Sequence, residues 1–494
     1  MTERVAADVV VVGSGPAGST VAAALSRAGL SVLVIEAGPW RASEDFPLPA
    51  FSSMARDWRA MGAQVVLGSL PAPYVQAKMV GGASPTNGAI CWRLPEDVWR
   101  GWVADDPALA DALPWTALET ATDAIEAQLG VAPTPPAVAG RKAALMAAGA
   151  EALGLAHRPI RRNAPGCVGS GRCMQGCPGG HKRSFDRAVL APALGPDLRV
   201  LAETEAMRVV VEQGRARAVL CRRSDGTALL ARADRAVVLA ASAVQTPALL
   251  LASGIDRGPV GRHFQCHPGV SVAGRFREPV RMWEGATQGH EVVGLRHEGL
   301  KFETLGFDLA VLASRMPGVG SDLARHVDGL AHWLDWGVAV RAQAHGRVRR
   351  VAGRTLVQWS PSPLDVQRFR RGAAVMAQMF FAAGAERVDL GVRGFARDVR
   401  HPAELAAFAH SGPLAPAAYS AAITHMFGTC RMGSDPARSV VGPDFGVHGV
   451  PGLYVADSSV FPSATGVNPQ IAIAALATLC AARVAGRAPT ELLP

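Results

Sequence analysis

At 494 residues the chain is long enough to bury more than one core, so two or three domains are expected. Apolar content of 49% with 18% charged residues fits a soluble globular protein. The formal charge of +9 comes almost wholly from arginine, with only four lysines, and the basic residues are scattered. Their tightest group, Arg347, Arg349, Arg350 and Arg354, reads as a solvated hairpin, which leaves nucleic acid outside the expected partners.

No signal peptide is visible before the first apolar strand, and a cytoplasmic protein is expected, peripheral to a membrane only through a partner. Asp8–Val12 reads as that strand and leads into Gly13-Ser-Gly15-Pro-Ala-Gly18. Ser19–Ala28 has helix-forming residues and stops at Gly29; Ser31–Ile35 reads as a second buried strand ending at Glu36. Strand, glycine loop, helix and strand together form a dinucleotide-binding unit. Gly13 permits the tight turn, Gly15 lets backbone approach a pyrophosphate, and Gly18 allows close helix–strand packing. Glu36 is placed to accept hydrogen bonds from the adenosine ribose. The unit by itself does not separate FAD from NAD.

A glycine-rich block follows at Val80-Gly-Gly-Ala-Ser-Pro-Thr-Asn-Gly88, where Gly81 and Gly82 suit a close approach to a planar cofactor. Asn87 reads either as a flavin contact or as a turn residue. The Ala-rich stretch 104–152, broken at Pro114 and around Pro133–Pro136, reads as helices with a linker. Eight cysteines in a chain of this length do not form a disulfide framework. Three are grouped, as Cys167-x5-Cys173-x3-Cys177 followed by proline, in a loop rich in glycine. They read either as free thiols or as iron–sulfur ligands. Ala236–Ile255 is apolar enough to suggest a membrane span, but Ser242, Gln245, Thr246 and Pro247 punctuate it as strand, turn and helix, so no integral membrane segment is expected. A helix is expected near Pro363–Ala383. Trp283, Trp333, Trp336 and Trp359, with Phe302, Phe307, Phe369 and Phe380, are expected to be core before pocket.

Near the C-terminus, His425 sits in Thr-His-Met-Phe-Gly-Thr-Cys-Arg-Met-Gly. Asp457 ends the apolar run Leu453–Ala456, and its alternatives are a cofactor contact and a helix cap. Asn468 and Pro469 precede an apolar helix expected over Ile471–Ala482, with Asn468 at the cap and Pro469 in the first turn.

Taken in order, these blocks and Val260-Gly-Arg-His-Phe-Gln-Cys-His-Pro268 resemble the glucose–methanol–choline (GMC) oxidoreductase family, an FAD-dependent family. The subgroup most similar is the bacterial long-chain alcohol oxidases and dehydrogenases. The resemblance implies an α/β fold (α+β overall): a Rossmann-like FAD-binding domain over 1–274 and 412–494, with an inserted sheet-plus-helices substrate domain over 275–411. It makes His425 the base, with an unperturbed imidazole near pH 6.5 in mind, and lets Asn468 hold the substrate oxygen. It assigns Gly13, Gly15, Gly18, Glu36, Gly82, Asn87, Asp457 and Pro469 to the cofactor, and treats His263 and His267 as structural. Thr86 stands where some members carry a histidine bonded to the flavin, which implies non-covalent FAD. Similarity of Cys167, Cys173 and Cys177 to glucose dehydrogenase subunits implies a [3Fe-4S] cluster, and through it an electron-acceptor protein as partner. The expected function is oxidation of an apolar primary or secondary alcohol. Carbon–carbon desaturation beside the carbonyl of a ketone, and a non-oxidising flavoprotein (lyase or electron relay), are the alternatives.

Overall fold

The computed structural model describes residues 3–46, 49–315, 319–396 and 398–494. The strand Glu3–Val12 lies at the middle of a seven-stranded sheet, paired in parallel with Val32–Ile35 on one side and Ala228–Leu239 on the other. Leu198–Leu201 and Leu453–Val455 extend the parallel part, and the antiparallel strands Arg215–Arg223 and Thr204–Glu212 complete the sheet. Val9–Val12 alternate between the two faces of the sheet and are all buried, which explains the unbroken apolar run in the sequence.

The helix Pro16–Arg27 follows the glycine loop, with Pro16 at its first turn, and its burial runs from Ala17 to Leu25. It packs against the C-terminal helix Gln470–Ala485, so the two ends of the chain share one core. Gly18 is what lets the first helix sit so close: a Cβ there would lie 1.8 Å from the Gly13 carbonyl oxygen. The apolar stretch around 236–255 is a strand ending at Leu239 and a helix Ser242–Ala252, and no helix among the described residues is long and apolar enough to cross a membrane.

A nine-stranded sheet forms the second core. Its organiser is the long strand Arg262–Arg275, which pairs with Trp333–Val340, Gly346–Val351, Arg387–Asp389 and Ala421–Phe427. The sheet therefore draws strands from outside 275–411, including His157–Pro159 and Ala421–Phe427. The helix Pro363–Ala382 lies across it, started by a capping box in which Ser362 and Asp365 satisfy each other's backbone amides. Phe380 of this helix stacks on Trp336 at 3.7 Å between ring centroids. The arginine group forms the exposed hairpin Gly346–Val351 and Arg354–Gln358.

Two glycine substitutions test this packing. Gly18→Ala is expected to lower the thermal midpoint and flavin content, because its Cβ meets backbone that has nowhere to move. Gly101→Ala, in an open position of the helix Glu96–Asp105, is expected to stabilise by about 0.5–1 kcal/mol. Thermal unfolding of both variants checks the pair.

Candidate active site

The two glycine loops meet. Gly13 has φ +98°, and a Cβ there would lie 2.4 Å from the Ala240 carbonyl oxygen, so no other residue fits the turn. Gly15 has only the Cα of Gly82 nearby, 3.9 Å from its would-be Cβ. Ser14 Oγ ties the loops together: it accepts from the Gly81 amide at 3.0 Å and donates to Glu36 Oε2 at 2.8 Å. Glu36 Oε1 accepts from the Gly38 amide. Burial pushes the Glu36 carboxyl above its usual range while these donors pull the other way.

The cradle suits FAD. Neither the helix at Pro16 nor the one at Gln470 has a side-chain cap or an acid in its first turn, so the first amides of both stay available to an anion. Thr86 Oγ1 is buried with no hydrogen-bond partner, a group that a bound cofactor satisfies. Asn87 closes a turn through Oδ1 to the Ala89 amide and reaches Gln470 Oε1 through Nδ2 at 3.1 Å, fastening the second glycine loop to the C-terminal helix. Asp457 caps the turn Ser458–Val460 and accepts from the Ser242 amide and the Thr246 hydroxyl.

Pro469, not Asn468, occupies the cap position of the last helix, whose first residue is Gln470. The expected assignment is shifted by one residue, because Asn468 uses its side chain elsewhere. Its Oδ1 accepts from Lys301 Nζ at 2.8 Å, and its Nδ2 lies 3.5 Å from His425 Nε2. His425 and Asn468, 43 residues apart, thus face one another.

Two neighbours of this pair were not expected from the sequence. His267, read there as structural, is a direct partner of His425: the strands carrying them are paired in register, and their Nδ1 atoms are 3.2 Å apart. His267 Nε2 accepts from the Gly466 amide at 2.9 Å, and two residues earlier Gln265 Oε1 accepts from the Ala464 amide. This period-two grip holds the loop that leads into Asn468. Lys301 is fully buried, with Glu291 Oε2 at 2.9 Å and Glu303 also in contact. Burial opposes its charge, but the two carboxylates outweigh that and hold it above the usual lysine range. The only trace of it in the sequence is a lysine in an arginine-rich chain, two residues from a glutamate on one strand, which by itself points to no site. His263 instead pairs with His345 at 3.2 Å, away from His425 in the hydrogen-bond pattern.

The electrostatics revise the expectation of an ordinary imidazole. His425 keeps some exposed surface, yet burial of its ring, with the Lys301 charge nearby, lowers it to about 3. It is neutral throughout the usual working range. His267 is also held well below the usual value by burial and by His425.

The thiols gather but do not form a metal cage. Cys167, Cys173 and Cys177 line one small pocket with Arg162, His181 and Lys182. The Arg162 guanidinium bridges two of the thiols, with Nη2 at 3.0 Å from Cys173 Sγ and Nη1 at 3.7 Å from Cys167 Sγ. Among the described residues no group of three or more His, Cys, Asp or Glu is arranged to hold a metal ion. Burial works against a Cys173 thiolate, but Arg162 and Lys182 outweigh it and draw the thiol to about 7. The residues do not fit the expected [3Fe-4S] cluster, and an electron-acceptor protein has no basis in this pocket.

Two outcomes test the charge arrangement. His425 binds a proton less readily folded than unfolded, so stability is full above about pH 6.5 and falls as pH drops toward 3. His425→Gln is expected to flatten that slope between pH 7 and 5 in thermal unfolding; equal slopes contradict the assignment. Lys301→Met strands Glu291 and Glu303 without their buried cation and is expected to cost about 3–5 kcal/mol in denaturant unfolding.

Comparison with known proteins agrees with this geometry. Residues 7–269 match the N-terminal GMC oxidoreductase family profile and residues 343–477 the C-terminal one. An uncharacterized GMC-type oxidoreductase of Mycobacterium tuberculosis is 35% identical over 95% of this chain and 74% of its own length. A long-chain-alcohol oxidase of Arabidopsis thaliana is 26% identical over 96% of this chain and 68% of its own. Pyridoxine 4-oxidase from Mesorbium loti shares the fold, with a TM-score of 0.68 at 20% identity over 96% of this chain and 98% of its own. The chain belongs to the GMC oxidoreductases and is a flavin-dependent oxidoreductase with a Rossmann-like cofactor fold.

Proposed function

We propose that this protein oxidises an apolar primary or secondary alcohol to an aldehyde or ketone. The observation that carries the reading is the convergence of His425 Nε2 and Asn468 Nδ2, 3.5 Å apart, beside the C-terminal helix that the glycine loop grips through Asn87. Relatives support oxidation of an alcohol: besides the plant long-chain-alcohol oxidase, on which the apolar preference rests, a paromamine 6'-oxidase of Streptomyces fradiae is 29% identical over 97% of this chain and 91% of its own length.

FAD, when bound, supplies the acceptor for the hydride that leaves the carbinol carbon. The seven-stranded sheet and its helices serve the cofactor, with Gly13, Gly15, Gly18, Glu36, Gly82, Asn87, Asp457 and Pro469 shaping the cradle. The second sheet serves the substrate. Asn468 donates from Nδ2 to the substrate oxygen, held in that orientation by Lys301. His425, neutral at working pH, handles the hydroxyl proton at Nε2. Thr86 cannot bond to the flavin as a histidine can, so FAD is dissociable.

Anaerobic bleaching of the flavin across a panel of alcohols and ketones tests this. Apolar alcohols are expected to bleach it and ketones are not. His425→Ala is expected to keep FAD and slow bleaching by about 10²–10⁴-fold. Bleaching by ketones alone would favour desaturation, and no bleaching at all would favour a non-oxidising role. Full activity in His425→Ala would remove the assignment of the base. Iron analysis of protein purified under nitrogen is expected to find no stoichiometric metal, with the thiols of the Cys167 pocket free to titrate.

A further inference from the structure

The hydrogen-bond chain through His425 ends, on both sides, in donors whose protons cannot be moved. At one end is the backbone amide of Gly466, which donates to His267 Nε2 at 2.9 Å. At the other is the Lys301 ammonium, which donates to Asn468 Oδ1 at 2.8 Å and so turns the Asn468 NH₂ toward His425. A neutral imidazole has one N–H and one lone pair. Because His267 Nε2 must accept, its proton is on Nδ1, and that N–H donates to His425 Nδ1 at 3.2 Å. His425 Nδ1 must then be the lone pair, and the ring's proton is on Nε2.

We infer that His267 is a positioning residue that holds neutral His425 in its Nε2–H form, so that His425 Nε2 and Asn468 Nδ2 both donate to a single oxygen. Two donors 3.5 Å apart do not satisfy each other. An oxygen beside both satisfies both, and the oxygen that suits this pair carries no proton of its own: a carbonyl or an alkoxide. The opposite arrangement puts His425 Nδ1–H toward His267 and forces His267 Nε2–H against the Gly466 N–H, two donors 2.9 Å apart. His267 is 1% exposed, so no solvent relieves that clash. The difference corresponds to a factor of about ten or more in tautomer population.

The inference rests on the placement of the residues and deepens the reading above. The resting site matches the oxidised product's oxygen; a base role at His425 Nε2 belongs to the other tautomer pair, with one proton on His425 Nδ1 and one on His267 Nε2. The nitrogen of His425 that carries the proton is therefore set from behind, by a strand partner that never meets the substrate.

Ring-¹⁵N NMR of histidine-labelled, FAD-loaded protein tests it without reading activity, so failure of the alcohol reading leaves this result standing. The His425 signals are identified by their loss in His425→Gln. The expected spectrum shows His425 with a protonated Nε2 and an unprotonated Nδ1. His267→Asn, which keeps a donor at the Nδ1 position, is expected to preserve that pattern, and His267→Leu is expected to give a mixture of both tautomers. A protonated Nδ1 in the wild-type protein overturns the inference, and the wild-type spectrum decides even where His267→Leu fails to fold. An unchanged His425 pattern in folded His267→Leu overturns it as well.

Discussion

A fully buried ammonium stands behind the candidate site, and the placement of Asn468 beside His425 follows from it. Lys301 touches two carboxylates and the amide oxygen of Asn468. A charge without water survives only when paired and hydrogen-bonded, so the strand Leu300–Thr304 must bring Glu303 with it, and His290–Val292 must bring Glu291. Glu291 is fixed in turn by the Trp92 indole at 2.7 Å and by Arg158 at 2.9 Å. The result is a rigid backing for one amide, and it lowers the basicity of the histidine that amide faces.

The second sheet supplies the other half of the constraint. Pairing of Arg262–Arg275 with Ala421–Phe427 sets His267 directly across from His425. The same strand holds the 464–466 loop through Gln265 and His267, and that loop delivers Asn468 to the start of the C-terminal helix. The helix itself packs on Pro16–Arg27, whose N-terminus belongs to the glycine cradle. The glycine loop and the His425–Asn468 pair are thus linked through packed helices.

Much of the cofactor half was legible from the chain because its signals are local. Glycine needs at Gly13 and Gly18, the strand before them and the Glu36 that ends the next one lie within some thirty residues, and each has a backbone reason. The Pro363–Ala382 helix and the arginine hairpin were legible for the same reason. What sequence did not show were pairings over long separations. His267 looked structural because nothing in Phe-Gln-Cys-His-Pro tells that its strand partner is the one bearing His425, 158 residues away. Lys301 was silent because its importance lies in Asn468, 167 residues on. The thiol loop read equally as free thiols or as cluster ligands, and Arg162, which contacts the Cys167 and Cys173 sulfurs, comes from outside the motif.

In the proposed reaction a carbinol C–H bond breaks as hydride at a site framed by His425 and Asn468. The most direct measurement is the rate of anaerobic flavin reduction by a long-chain primary alcohol and by the same alcohol with deuterium at the carbinol carbon, taken by stopped flow at saturating substrate. Deuterium is expected to slow reduction several-fold in the wild-type protein. Equal rates with the two alcohols would contradict rate-limiting cleavage of that bond, and absence of reduction by either would contradict the function itself.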